Sequence, residues 1–126
     1  GRVDWFEPHF DLERVRLITG YGMTETSGYV TALDWRDPAA VRRLGLGRPL
    51  PGVEIRIVGA DERPVEAGAA GEIRVRAPGL FSGYYRQPPG TGLDEQGFLR
   101  TGDLGRVDAD GTFHFDGRSK DLLRVK

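Results

Sequence analysis

Cysteine is missing altogether from these 126 residues, so neither a disulfide framework nor a thiolate metal site can be built, and a reducing compartment such as the cytoplasm is the expected location. Long apolar runs are missing too. No stretch approaches the length of a bilayer span, and the opening residues, GRVDWFEPHF, have neither the basic start nor the apolar centre of a signal peptide. No integral membrane segment is expected. An excess of one charge is also lacking: 18 Lys and Arg against 19 Asp and Glu leave a formal charge of -1, which gives no general attraction to nucleic acid or to anionic lipid. Internal repeats are absent, and helical signal is thin.

Glycine, by contrast, is plentiful. The 19 glycines and 8 prolines lie singly between alternating segments and so punctuate short strands rather than form a linker. In VEIRIV, Val53, Ile55 and Ile57 alternate with Glu54 and Arg56; GEIRVRA sets Ile73 and Val75 against Glu72, Arg74 and Arg76; GTFHFDG sets Phe113 and Phe115 against Thr112, His114 and Asp116. A period of two describes strands with one buried face. Asp110-Gly111 suits a tight reversal between two of them. One short helix is expected in DPAAVRRLG, with Asp37 as N-cap, Pro38 at the first position and Gly45 as stop, and a second is possible near PGLFSGYYRQ. A chain of this length with 38% apolar residues can bury its own core as a single domain.

TGYGMTETSG raises the question of function. VRLI reads as a strand running into it, and Gly20 and Gly22 would let the backbone turn tightly and approach a ligand. Thr19, Thr24 and Thr26 offer hydroxyls. Amides in such a turn can cradle phosphate oxygens, and Glu25 could hold a magnesium ion that neutralises them. The stretch is neither a Walker loop, for no Gly-Lys-Ser/Thr follows, nor a dinucleotide fingerprint, for its glycine spacing is wrong. Alone, it is equally a plain loop without a ligand.

Its company changes that. From residue 17 onward the chain carries, in order, YGMTE, GRPLPGVEIRIV, GEIRVRAPGLFSGYY, RTGDLG and GRSKDLLRVK. In kind and order these resemble the motifs of the adenylate-forming superfamily, which holds the acyl-CoA synthetases, the luciferases and the peptide-synthetase adenylation domains. Met23 and the GRSKD segment resemble the acyl-CoA synthetases more closely. The resemblance implies a mainly β (α+β) fold: a distorted antiparallel, barrel-like subdomain of the large N-terminal domain of such an enzyme, with a few short helices. Residues 1–126 would be the C-terminal part of its AMP-binding domain and residues 118–126 its hinge region, turning at Lys120. The strand at residues 15–18 would belong to a neighbouring layer.

The chemistry implied is attack of a carboxylate, here expected to be a fatty acid, on the α-phosphorus of ATP to give an acyl adenylate and pyrophosphate, followed by transfer to the thiol of CoA. ATP, Mg2+ and CoA are thus the expected cofactor and co-substrates, with a small carboxylic acid as partner and no nucleic acid. Glu25 is the expected metal ligand, with the Thr24 hydroxyl on the α-phosphate. Thr19, Gly20, Tyr21 and Gly22 match the stretch that contacts the base, with Tyr21 stacking on or flanking the adenine. Asp103 would accept both ribose hydroxyls, and Arg118 would reach the ribose or a phosphate with its planar fork. Read singly, Asp103 is a turn residue after Gly102 and Arg118 a solvated strand-end charge. His9 and His114 are read as structural, and the aromatics of LFSGYYRQPP as packing rather than a stacking platform. The superfamily's upstream phosphate loop and lysine-bearing small domain are not among these residues, so the 126 residues alone are expected to be inactive. Two alternatives stand beside this reading: an adenylation domain that loads a carrier-protein thiol, and a non-catalytic nucleotide-binding β domain.

Overall fold

The alternating segments form the strands. In the computed structural model, which describes residues 8–11, 14–38, 41, 42 and 45–119, these are β1 (Gly20–Met23), β2 (Gly28–Ala32), β3 (Arg48–Pro49), β4 (Glu54–Val58), β5 (Gly71–Arg76), β6 (Leu99–Val107) and β7 (Phe113–Arg118). They make two sheets, ordered β1-β2-β3 and β4-β5-β6-β7, antiparallel throughout. The mainly β expectation holds. The barrel-like closure does not: among the described residues both sheets are open.

Register follows the hydrophobic pattern, as it must when one face is buried. Ile55 stands opposite Val75 and Ile57 opposite Ile73, while Glu54 faces Arg76 and Arg56 faces Arg74. Ile73 and Val75 then join Ile57, Phe113, Tyr21 and Val30 in one core fed by both sheets, each large side chain contributing roughly 1.5–3 kcal/mol on burial. The β6–β7 reversal falls where Asp110-Gly111 suggested it, as a longer loop closed by Asp108 N–H donating to the Thr112 carbonyl at 2.9 Å and by Gly111 at φ +87°.

Helix is scarcer than expected. Thr24–Thr26 is a single 3-10 turn. In DPAAVRRLG, Arg42 N–H reaches the Pro38 carbonyl at 3.0 Å and Gly45 N–H the Val41 carbonyl at 2.9 Å, the bonding of a short helix. The Asp37 carboxylate accepts the Asp34 N–H at 2.8 Å. PGLFSGYYRQ forms turns instead of a helix, because Gly83 at φ +140° and Arg86 at φ +56° leave helical torsions. Within it Phe81 and Tyr84 pack edge to face at 4.7 Å, while Tyr85 is exposed. Residues 15–18 form no strand; a strand needs a neighbour to take its backbone bonds, and Val15 and Ile18 are instead about half exposed.

The outer face of β5 also departs from simple alternation. Arg74 falls on the polar face, yet only 4% of it is exposed. Its guanidinium reaches Glu62 at 2.5 Å and Asp94 at 3.2 Å, with Glu72 at 3.5 Å. Glu62 sits at φ +64° in a turn, its side chain still largely in solvent. The Arg74 hydrogen bond holds the Glu62 carboxyl below the usual range. Burial pushes the Asp94 carboxyl up, but the amides of Phe98 and Gln96 together with Arg74 outweigh it and leave the group low. Phe98, itself fully buried, lies between the Arg56 and Arg76 guanidinium groups at 4.2 and 4.6 Å.

Removing the shared cation would leave Glu72 and Asp94 without it and Glu62 with only Arg100, at 3.2 Å. Arg74→Leu is therefore expected to cost about 3 kcal/mol at neutral pH, the lower end for breaking a buried pair, as read by denaturant unfolding. Glu62 and Asp94 titrate low when folded, so their contribution is present above the ordinary carboxylate range and is lost as pH falls through the folded values. The gap between wild type and Arg74→Leu should accordingly narrow below roughly pH 4; a constant gap would contradict the electrostatic origin.

Candidate functional site

YGMTE begins as a strand, not a turn. A Cβ on Gly20 would stand 2.2 Å from the Thr31 carbonyl oxygen, and one on Gly22 2.1 Å from that of Gly28. These glycines therefore serve first to bring the β1 and β2 backbones together. The turn follows at Thr24–Thr26, organised by the Thr26 hydroxyl, which accepts the Met23 N–H at 3.0 Å and lies 2.7 Å from the Gly28 carbonyl. Ser27 at φ +58° closes it. Thr24 is left exposed at the crest and Glu25 half-buried, with the Glu25 carbonyl accepting the Phe81 N–H at 2.8 Å. Gly22, Met23, Thr24, Gly28 and Tyr29 line a groove of about 400 Å³. Thr19, half-buried just before β1, gives its carbonyl to the Leu33 N–H at 2.9 Å.

Asp103 owes its position to a bulge. Glu72 and Arg74 of β5 pair with Leu104 and Arg100 of β6, so β6 uses four residues where β5 uses two. Thr101–Asp103 arch out of the ladder there, helped by Gly102 at φ +70°, and bulges of this kind re-aim side chains. The Thr101 hydroxyl fills the broken ladder: it donates to the Ile73 carbonyl at 2.5 Å and accepts the Asp103 N–H at 3.1 Å. Asp103 ends 4% exposed.

In the first sheet Tyr21 pairs with Thr31, and the extra residue of a bulge, Val30, falls on β2 just beyond it, where Gly22 pairs with Tyr29. The Tyr21 phenol donates to Asp103 Oδ2 at 2.7 Å, joining residues 82 apart in sequence across the two sheets. The Tyr21 ring lies 5.0 Å from Phe113 and, nearly parallel, 6.1 Å from Phe115; Phe115 keeps 44% of its surface exposed. Arg118 is the register partner of Asp103 on β7, and its Nε stands 3.4 Å from Asp103 Oδ1 with two-thirds of the side chain in solvent. The Ser119 hydroxyl donates to the Gly102 carbonyl at 2.9 Å, tying the end of β7 to the bulge. Lys120, read as the hinge, lies outside the described residues.

Tyr21, Asp103 and Arg118 thus meet at one point. Thr24 and Glu25 stand on the turn that follows β1. Thr101, which anchors Asp103, was missed in the sequence; its signal was Gly102, since a lone glycine inside a strand pattern marks a bulge. Among the described residues no group of three His, Cys, Asp or Glu could hold a metal ion. A single carboxylate such as Glu25 still suits magnesium, which keeps several waters and shares substrate phosphate oxygens. His114 pairs with Asp108, Nε2 to Oδ2, at 2.6 Å. Among the described residues no helix is long and apolar enough to cross a membrane.

The buried Asp103 carboxylate, with Tyr21 and Arg118 against it and the Thr24–Glu25 turn beside it, lies in a chain that resembles known AMP-binding enzymes. The family model described as AMP-binding enzyme matches residues 2–85; the chain belongs to that family. It is similar to the sulfoacetate–CoA ligase of Cupriavidus necator, 38% identical over 94% of this chain and 23% of that protein. The malonate–CoA ligase of Arabidopsis thaliana is 41% identical over 87% of this chain and 18% of its own length. Among solved structures, ATP-bound MatB from Rhodopseudomonas palustris superposes with a TM-score of 0.77 at 34% identity, covering 86% of this chain and 21% of that one. The chain therefore spans about a fifth of the length of these relatives.

Burial first, and then the bond to Asp103, push the Tyr21 phenol well above its ordinary value of 10.0. A group whose folded value is raised stabilises fully below the unfolded value and loses that contribution as pH rises toward the folded one, because the unfolded chain ionises first. The stability advantage of wild type over Tyr21→Phe should therefore shrink above about pH 10, approaching 1.4 kcal/mol per pH unit. Chemical unfolding of both proteins from pH 8 to 11 reads this directly; parallel curves would contradict it.

Proposed function

We propose that this chain is the ribose- and metal-side portion of an ATP-dependent acid–thiol ligase, which activates a carboxylic acid as its acyl adenylate and passes the acyl group to the thiol of CoA. The observation that carries the reading is the convergence at Asp103. Residues from YGMTE, RTGDLG and GRSKD, far apart in sequence, come together around one buried carboxylate, beside the turn that carries Thr24 and Glu25. CoA ligases among the relatives support the acceptor, and an ATP-bound structural neighbour supports the nucleotide.

In this reading Asp103 accepts the ribose hydroxyls, and the largely exposed Arg118 is free to turn toward the ribose or a phosphate. Adenine lies along Thr19–Gly22, against the aromatic group of Tyr21 whose outer member is Phe115. Glu25 holds Mg2+ together with phosphate oxygens; when bound, the ion neutralises charge between the two anionic reactants. The Thr24 hydroxyl, exposed at the crest of its turn, donates to the α-phosphate. The groove beside it is lined, among the described residues, by Met23 and Tyr29 and by no charged side chain, which favours an apolar acyl chain such as that of a fatty acid. Residues 118–126 are the hinge region, with Lys120 as its pivot, and the chain as a whole is part of an AMP-binding domain.

In the full-length ligase that carries this chain, Asp103→Ala removes two hydrogen bonds to a charged acceptor, each worth about 1.5–3 kcal/mol. Pyrophosphate exchange into ATP should fall by roughly two to four orders of magnitude in a protein that still unfolds cooperatively, at a lowered temperature. Unchanged exchange would refute the ribose role. Glu25→Gln is expected instead to raise the magnesium concentration needed for half-maximal exchange; an unaltered magnesium dependence would remove Glu25 from the metal site.

A further inference from the structure

The partners of Asp103 differ sharply in how firmly they are held. Arg118 approaches Oδ1 at 3.4 Å from a side chain two-thirds exposed, an arrangement worth little by itself. Tyr21 approaches Oδ2 at 2.7 Å, and it and Asp103 are only 7% and 4% exposed. The phenol cannot wander. Its ring is set against Phe113 and Phe115, and its backbone N–H donates to the Thr31 hydroxyl at 3.0 Å. On the other side, Thr101 fixes the Asp103 backbone through two hydrogen bonds of its own.

This matters for what a carboxylate can recognise. The terminal torsion of an Asp side chain is broad and soft, so an unrestrained carboxylate would present its oxygens over a range of directions. A pair of vicinal hydroxyls is bound well only by two acceptor positions held in one plane. Fixing one oxygen fixes the plane of both. The raised Tyr21 phenol stays a donor throughout the physiological range.

We propose that Tyr21, with Thr101 behind it, is a positioning residue: its hydroxyl clamps Asp103 Oδ2 so that the remaining acceptor sites of the carboxylate match the 2′ and 3′ hydroxyls of a ribonucleotide, and the pair thereby sets the preference for ribose over sugars lacking those hydroxyls. The inference rests on the reading of Asp103 as the ribose acceptor, and it assigns to Tyr21 a task separate from flanking the base. A residue that merely packs would affect all nucleotides alike; a residue that orients the acceptor affects only those with hydroxyls to bind.

The test compares AMP with 2′,3′-dideoxy-AMP by calorimetric titration of the full-length ligase in three forms: wild type, Tyr21→Phe and Thr101→Val. Wild type should prefer AMP, and each variant should lose about tenfold of that preference, the effect of one weakened hydrogen bond to a charged acceptor, with affinity for the dideoxy nucleotide little changed. Partial unfolding weakens both nucleotides by the same factor, so the ratio reports on recognition even in a destabilised variant, and Thr101→Val decides the matter should Tyr21→Phe not fold. Retention of the full wild-type preference in either variant overturns the positioning role while leaving Asp103 as the acceptor. Absence of any preference in wild type overturns the ribose reading itself, and the positioning role with it.

Discussion

A carboxyl group taken out of water is costly unless donors surround it, and the arrangement around Asp103 is organised by that requirement. The Tyr21 hydroxyl meets one oxygen, the Arg118 guanidinium stands near the other, and the Thr101 hydroxyl holds the backbone behind. Satisfying this one group brings together β1, β6 and β7, and through β1 and β6 it joins the two sheets. The same contact shapes the core, because the Tyr21 ring that delivers the hydroxyl is also one of the residues that the sheets share.

A bulge on β6 makes this possible. A regular antiparallel ladder would keep Asp103 in line with its neighbours. The extra residues on β6 carry Asp103 out of that line, to where Tyr21, in ordinary register opposite Thr31, reaches it from the other sheet, and Thr101 supplies the hydrogen bond that the ladder gives up. Bulges sit at sites for this reason. The opposite face of the second sheet solves a related problem: the charge of Arg74, covered by turns that carry Glu62 and Asp94, is offset by those carboxylates.

The relatives, at 38% and 41% identity, are CoA ligases named for different acids, while what holds Asp103 in place here is the strand pairing and hydrogen bonding of this chain itself.

The alternation of Ile55 and Ile57 against Ile73 and Val75 was enough, read as sequence, to define two paired strands and their buried faces, because period-two patterning leaves a single register that buries both sets. Asp110-Gly111 marked the last hairpin for a similar local reason, and five ordered motifs pointed to the family. Local rules could not tell that Arg74 is buried, since its burial comes from turns 12 and 20 residues away, nor that residues 15–18 would lack a partner strand. Nor could they join Tyr21 to Asp103. That contact depends on the β6 bulge and on how one sheet lies against the other, and only tertiary packing sets the distance between side chains 82 positions apart.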